Sequence, residues 1–226
     1  MLDAMSGAKR FNRWMADTLL PFVTGDVLEL GAGIGNLTAL LCKSRHRYVA
    51  TDLDQELLTR LKTRVQGCPN LITATCDLTK PSDFAPFRNS MDTVVCLNVL
   101  EHVEDDLTAL RNIYSCLKPG GRAIILVPQG MQVFGSLDEA LEHQRRYAKT
   151  ELQNKMTSAS FHVERILEFN RMTYPGWFLN SRVLRRRTLS RIQLSVFDLL
   201  VPLWRRIDRS LPWPPTSLIG IGVREH

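Results

Sequence analysis

No apolar run in this 226-residue chain approaches the roughly 18 residues that a membrane-crossing helix needs. The N-terminus lacks a basic stretch followed by an apolar run and a small-residue cleavage site, so no secretory signal is expected. Its five cysteines (42, 68, 76, 96 and 116) are an odd number and include no CxxC pair; four fall in expected helices or strands, as small buried hydrophobes do. A reducing cytoplasm is therefore the expected setting, and no metal is expected. Internal repeats and low-complexity tracts are missing too. An apolar content of 44% with 23% charge excludes a disordered chain and suits one generous domain, or a domain with a cap.

Balanced charge is missing in one place. Residues 182–209 hold eight arginines and two acids, Asp198 and Asp208, which accounts for the whole net charge of +6. The rest of the chain is neutral, so one segment must explain the basicity.

The first 150 residues alternate in the βαβ manner. A helix is expected from about Ala8 to Leu20. "DVLEL", "YVATDLD", "LITATCD", "MDTVVCL" and "RAIILVP" read as strands. "NLTALLCKS", "QELLTRLKTRV" and "EDDLTALRNIYSCL" read as helices; the last carries acids in its first turn and stops at "KPGG". Alternation of this kind implies a parallel sheet covered on both faces. "KTELQNKMTSASF" follows as a helix, "HVERILEF" as a strand and "SLIGIGVRE" as a last strand. Residues 171–216, 46 residues between those two strands, are too many for a turn and suggest a helical cap.

"VLELGAGIGNLT", residues 27–38, spends a glycine on every second position just behind a strand. Glycine there lets main chain approach a ligand, and the amides opening the next helix present donors. The dinucleotide pattern GxGxxG fails at its third glycine, where Asn36 stands, and no lysine follows as a phosphate-binding P-loop requires.

"LELGAGIGN", "TDLD", "CDL", "NVLEHVED" and "LKPGGRAIILVP", in this order and spacing, resemble the class I S-adenosylmethionine-dependent methyltransferases over about residues 27–128. The resemblance implies an α/β fold: a doubly wound, seven-stranded, mostly parallel Rossmann-like sheet with a helical cap inserted before the last strand. It divides a single domain into an N-terminal helix or lid (1–24), a cofactor-binding core (25–170), a cap (171–216) and a last strand (217–226). The implied cofactor is S-adenosyl-L-methionine, leaving as S-adenosyl-L-homocysteine. Glu29, Gly31, Ala32, Gly33 and Gly35 would cradle its methionine part, and a side chain on those glycines would take the ligand's space. Asp52 would accept from both ribose hydroxyls, with Leu53 beside it against the cofactor; the alternative is that Asp52 caps the next helix. Asp77 would take the adenine amino group, with Leu78 covering the ring; a plain turn role for Asp77 stays open. Asn98 would sit under the cofactor and face the acceptor.

Methyl transfer from a sulfonium is an in-line displacement, so a general base is needed only for a protonated acceptor. "FGSLDEALEHQRRYAKTE" (134–151) resembles a run in a bacterial subgroup of these enzymes. His143, Arg146 and Tyr147 have the spacing of one helical face and are the catalytic candidates: a base, an anion clamp and a phenol. The competing reading is a surface helix on which histidine and arginine pair with Glu139 and Glu142. His102 is either a loop residue near the cofactor or a helix cap. Trp14, Tyr174, Trp177 and Phe178 are candidate acceptor-binding aromatics, with core packing as the alternative.

The basic segment places Leu189, Ile192, Val196, Leu199, Leu203 and Ile207 on a helical stripe that Pro202 should kink. Four uses compete: a cap whose stripe packs on the core, a peripheral contact of residues 182–209 with anionic lipid, polyanion binding, or a dimer contact. Nucleic acid fits poorly, since the run has no stacking aromatics at regular intervals and the fourth strand ends in "NVLE" rather than an NPPY-type sequence. The expected activity is methyl transfer to an oxygen or nitrogen of a small-molecule or lipid-like acceptor. A carboxylate or peptide acceptor, a membrane-surface quinone or lipid pathway, and a non-catalytic cofactor-binding scaffold are the alternatives. The expected place is the cytoplasm, or peripherally the membrane surface.

Overall fold

A computed structural model describes residues 7–43 and 45–225. Residues 1–6 of the expected N-terminal unit, Ser44 of the expected second helix and His226 lie outside the described residues.

Seven strands form one sheet: β1 (Val27–Leu30), β2 (Tyr48–Asp52), β3 (Leu71–Thr75), β4 (Met91–Leu97), β5 (Leu117–Pro128), β6 (His162–Phe169) and β7 (Ser217–Val223). Their order is β3-β2-β1-β4-β5-β7-β6. The first five are parallel, and β7 runs antiparallel between β5 and β6. Every residue of β1 is buried, as a strand covered on both faces must be. Because the order reverses between β1 and β4, a crevice opens beyond their carboxyl ends.

Eight α-helices complete the described residues: α1 (Lys9–Leu19), α2 (Thr38–Leu41), α3 (Gln55–Arg64), α4 (Asp106–Cys116), α5 (Ser136–Ala140), α6 (Lys149–Ser158), α7 (Tyr174–Phe178) and α8 (Arg191–Ile207). Leu110 and Ile113 of α4 and Leu152 and Met156 of α6 bury against one sheet face. Phe11, Met15 and Leu19 of α1, Leu41 of α2 and Leu61 of α3 bury against the other.

Three local expectations change. The second helix shortens to four residues, since the glycine loop runs on to Leu37. "KPGG" does not separate helix from strand: β5 starts at Leu117 and includes it. Cys42 and Cys68 form a disulfide, because the end of α2 and the approach to β3 bring their Cα atoms within 6.0 Å. Cys76, Cys96 and Cys116 are buried free thiols. The reducing setting thus loses the support of unpaired cysteines.

The largest correction concerns α8. It starts with a Ser190–Gln193 capping box and continues through Pro202 without a break. It docks on α1 by the face holding Asp198 and Val201, with Phe197 and Trp204 partly buried beside them. The expected stripe is left uncovered rather than packed on the core: Leu199 (61% exposed) and Leu203 (48%) face outward, while Leu189, Ile192 (77%) and Val196 (52%) border the crevice beyond β1 and β4. An electrostatic contact selects the face. The N-cap of α1 is Ala8, which supplies no side-chain acceptor, so the Phe11 N–H would lack a partner. Asp198 Oδ1 accepts from it at 2.9 Å, and Arg10 lies 3.7 Å from the same carboxylate. A second pair, Arg205 to Asp17 at 2.6 Å, holds the other end.

Candidate functional site

A cavity of about 1160 Å³ occupies the crevice at the ends of β1 and β4. Its floor is the glycine loop, its far wall Ala140–His143 with Arg146, and its roof α8 with Trp177 and Phe11.

The floor follows from backbone demands. Gly31, Gly33 and Gly35 have φ of +69°, +56° and +79°, a region that costs other residues energy. A Cβ on Gly31 would lie 2.2 Å from Val99, and one on Gly35 2.8 Å from Val65. At these two positions the neighbour that forbids a side chain is the protein itself, not the ligand's space. Gly33 donates its N–H to Asp52 Oδ2 at 2.8 Å, and Ala32 donates to the Thr51 carbonyl. Glu29 lines the cavity and takes hydrogen bonds from Thr38 (2.6 Å) and Tyr48 (2.9 Å). Burial pushes its carboxyl up to about 7, against the lowering effect of those two bonds.

Asp54, not Asp52, caps α3, accepting from the Glu56 and Leu57 amides. Asp52 lines the cavity with one backbone donor on each oxygen, Gly33 on one and Asp54 on the other, so lone pairs remain. Asp77 also lines it, but Oδ1 accepts from the Thr79 amide and hydroxyl, which hold its carboxyl below the usual range. Leu53, Leu78 and Asn98 are on the cavity wall, Leu53 64% exposed and Asn98 at φ +53°. Asn36 Oδ1, beside the glycine loop, is buried with no hydrogen-bond partner among the described residues. A ligand carrying an ammonium and a ribose diol suits this floor: unsatisfied acceptors, and no cation among the floor residues.

The far wall is not a helix. α5 ends at Ala140, so His143, Arg146 and Tyr147 do not share a helical face. A single acid gathers the first two instead. Asp138, fully buried, meets His143 Nδ1 at 3.0 Å, Arg146 Nε at 2.7 Å and Trp177 Nε1 at 3.2 Å. Burial alone would raise its carboxyl, yet the bonds from His143, Arg146 and Trp177 hold it below the ordinary value. The expected partners Glu139 and Glu142 are replaced by this one. Arg146 also donates to the Gln129 carbonyl at 3.0 Å and stacks on Trp177 at 4.8 Å, so its donors serve the wall. Tyr147 points the other way: its hydroxyl donates to Asp106 at 2.8 Å, and burial raises its phenol far above the usual range.

His143 Nε2 is directed at Glu101, 3.8 Å from its Oε1. The Glu101 carboxyl is buried, with neither oxygen hydrogen-bonded among the described residues, and burial pushes it up to about 8. The His102 ring packs on His143 at 4.9 Å between centroids, and burial followed by the His143 charge lowers its pKa.

Of the aromatic candidates, Trp177 lines the cavity. Trp14 is core, its ring 4.7 Å from Phe169, because α1 turns that side to the sheet. Tyr174 is outside the lining, and Phe178, 43% exposed, borders a separate surface recess. Sequence reasoning missed Asp138, Glu101 and Asn36 as site residues. Asp138 lies inside the 134–151 block, and Asn36 stands where a third glycine would complete the dinucleotide pattern.

Residues 28–123 match a family described as a methyltransferase domain. The ubiquinone biosynthesis O-methyltransferase of Xanthomonas euvesicatoria is 25% identical over 193 residues, 79% of each chain. The ubiquinone/menaquinone biosynthesis C-methyltransferase UbiE of Desulfotalea psychrophila is 33% identical over 105 residues, 45% of this chain. The chain spans 41% of that relative's length and 55% of a Mycobacterium bovis methyltransferase's. An S-adenosylmethionine-dependent methyltransferase from Mesorhizobium loti shares the fold, with a TM-score of 0.64 at 17% identity over 93% of this chain and 96% of that one.

Proposed function

We propose that this chain, which belongs to the class I S-adenosylmethionine-dependent methyltransferases, moves a methyl group from that cofactor to an oxygen or nitrogen of an acceptor with an apolar body. The cofactor, when bound, supplies a sulfonium methyl with a good leaving group. Glu29, Asn36 and the loop from Gly31 to Gly35 hold its amino-acid end, Asp52 its ribose diol, and Asp77 with Leu78 its base. Asn98 lies between floor and wall, at the junction of the two ligands.

One observation carries the acceptor side: the Asp138–His143 pair at the cavity wall. Asp138 accepting from Nδ1–H leaves the Nε2 lone pair free to take a proton from an acceptor hydroxyl or ammonium. Trp177, Phe197 and Leu200 give the acceptor's body an apolar bed beneath α8. The kinship with a ubiquinone-pathway O-methyltransferase supports an acceptor of that kind. Arg146, committed to Asp138 and Gln129, speaks against a carboxylate-anchored peptide acceptor.

The uncovered stripe of α8 supports a peripheral membrane contact as the place where such an acceptor is met. Leu199 and Leu203 are exposed away from the cavity and Ile192 and Val196 are exposed where they border it, with Arg182, Arg185, Arg186, Arg187 and Arg191 before them and Arg205, Arg206 and Arg209 after. An apolar stripe with basic flanks suits anionic lipid. No helix among the described residues is long and apolar enough to cross a membrane.

The test is incubation with methyl-labelled cofactor and a lipid-soluble extract, followed by mass spectrometry for products one methylene heavier. His143→Ala should slow turnover by on the order of 10²-fold or more while sparing cofactor affinity. Unaltered turnover makes His143 structural, and no labelled product from any fraction favours a binding scaffold.

A further inference from the structure

The wall of the cavity carries a feature that methyl transfer by a lone base leaves unused. Among the described residues, one group of histidine and acid side chains converges on a point: Glu101, His102 and His143, whose donor atoms lie within 4.8 Å of one another. We propose that these three residues bind one divalent transition-metal ion, of the zinc or cobalt type, at the acceptor end of the cavity. The inference rests on the reading of that wall as the acceptor's side, makes His143 a ligand in place of a base, and gives the wall a preference for oxygen.

Four observations support the site. Glu101 is fully buried, yet neither carboxyl oxygen has a hydrogen-bond donor among the described residues. A buried carboxylate without a partner costs several kcal/mol, and such groups are normally paired or bound to metal. Its Oε1 is aimed at His143 Nε2, 3.8 Å away. Two donors about 2.1 Å from a tetrahedral ion stand roughly 3.4 Å apart, so the closure required is small. His143 Nδ1 is held by Asp138 at 3.0 Å, the carboxylate–histidine relation that fixes the tautomer and turns Nε2 to a metal. His102 Nδ1 faces the Glu142 carbonyl at 3.3 Å, which leaves Nε2 for the ion.

Two imidazoles and one carboxylate form a donor set for zinc-type ions rather than magnesium or calcium, which take oxygen ligands. Two of the three ligands, His102 and His143, also line the cavity, so a fourth position opens toward the acceptor. An ion there favours the oxyanion of a bound hydroxyl, which suits an oxygen acceptor better than an amine. The Nε2 lone pair of His143 then serves the ion, so the proton of the bound hydroxyl passes to solvent water rather than to His143 before the oxygen takes the methyl group and S-adenosyl-L-homocysteine leaves.

Titration of the metal-stripped full chain with Co2+, read by visible ligand-field absorption, tests the site without methyl transfer. Bands that saturate at one ion per chain and vanish on adding Zn2+ are expected. Glu101→Gln should weaken Co2+ at least a hundredfold, and Asp138→Asn by about ten- to a hundredfold through His143. Cofactor affinity, unchanged in Glu101→Gln, reports that the fold survives; His102→Ala, at a more exposed position, repeats the test if it does not. Absence of bands, or bands unaltered in both variants, overturns the site. Full methyl transfer in a chelator, still lost in His143→Ala, also overturns it while upholding the base. Ion binding with no methylated product retains the ion and refutes the acceptor reading.

Discussion

The two walls of the cavity are built by different means. The floor between Leu30 and Asp52 is backbone: three glycines at positive φ, tied by the Gly33 amide to Asp52 and by Ala32 to Thr51. The far wall is side chain: one buried acid, Asp138, collects an imidazole, a guanidinium and an indole from residues 5 to 39 positions away. A backbone cradle needs local sequence and tolerates few residue types. A side-chain network needs tertiary placement and can hold many acceptors. The floor lies wholly inside the matched range 28–123, whereas Asp138, His143, Arg146 and Trp177 of the wall lie beyond it.

That contrast can be broken by substitution, and the wall should give the larger effect. Asp138→Ala leaves Arg146 buried and unpaired, which costs about 3–5 kcal/mol of stability in urea unfolding. A loss under 1 kcal/mol would show that the wall is not organised by that acid.

On the floor, Glu29 offers a pH test. Its folded pKa of about 7 lies above the ordinary 4.5, so the protonated form stabilises the fold. That contribution is fully present below pH 4.5 and is lost as pH rises through about 7. Glu29→Gln escapes the loss. Relative to the native chain it should gain on the order of 3 kcal/mol between pH 4.5 and pH 8, since each pH unit separating the folded and unfolded values is worth about 1.4 kcal/mol. Parallel stability curves would contradict the buried, high-pKa carboxyl.

The smallest effect on stability belongs to α8. Leu199→Ser on the exposed stripe should change stability by less than about 0.5 kcal/mol. The same change should reduce flotation with vesicles containing anionic phosphatidylserine. Equal flotation of native and variant chains would remove the stripe from lipid contact.

The parts legible in the sequence follow the same division. Strand and helix order came from periodicity, and β6 matches its expected span residue for residue. The glycine loop could be read because φ restricts its composition, though Gly31 and Gly35 answer to Val99, Val65 and Leu61. The face of α8 could not be read. A hydrophobic stripe predicts burial only when something covers it, and Asp198 reached the end of α1 instead, leaving the stripe uncovered, partly along the cavity and partly outward. His143, Arg146 and Tyr147 were found as a group but not as an arrangement. The helix stops at Ala140, and the three then diverge toward Asp138 and Asp106. The Cys42–Cys68 bridge joins residues 26 apart in no recognised motif.

The most direct measurement is calorimetric titration of S-adenosylmethionine into the native chain and into Asp52→Ala. The floor's geometry predicts tight one-site binding and a loss of about 1.5–3 kcal/mol in the variant, from two hydrogen bonds to a charged group. Equal affinity in the two chains would contradict it.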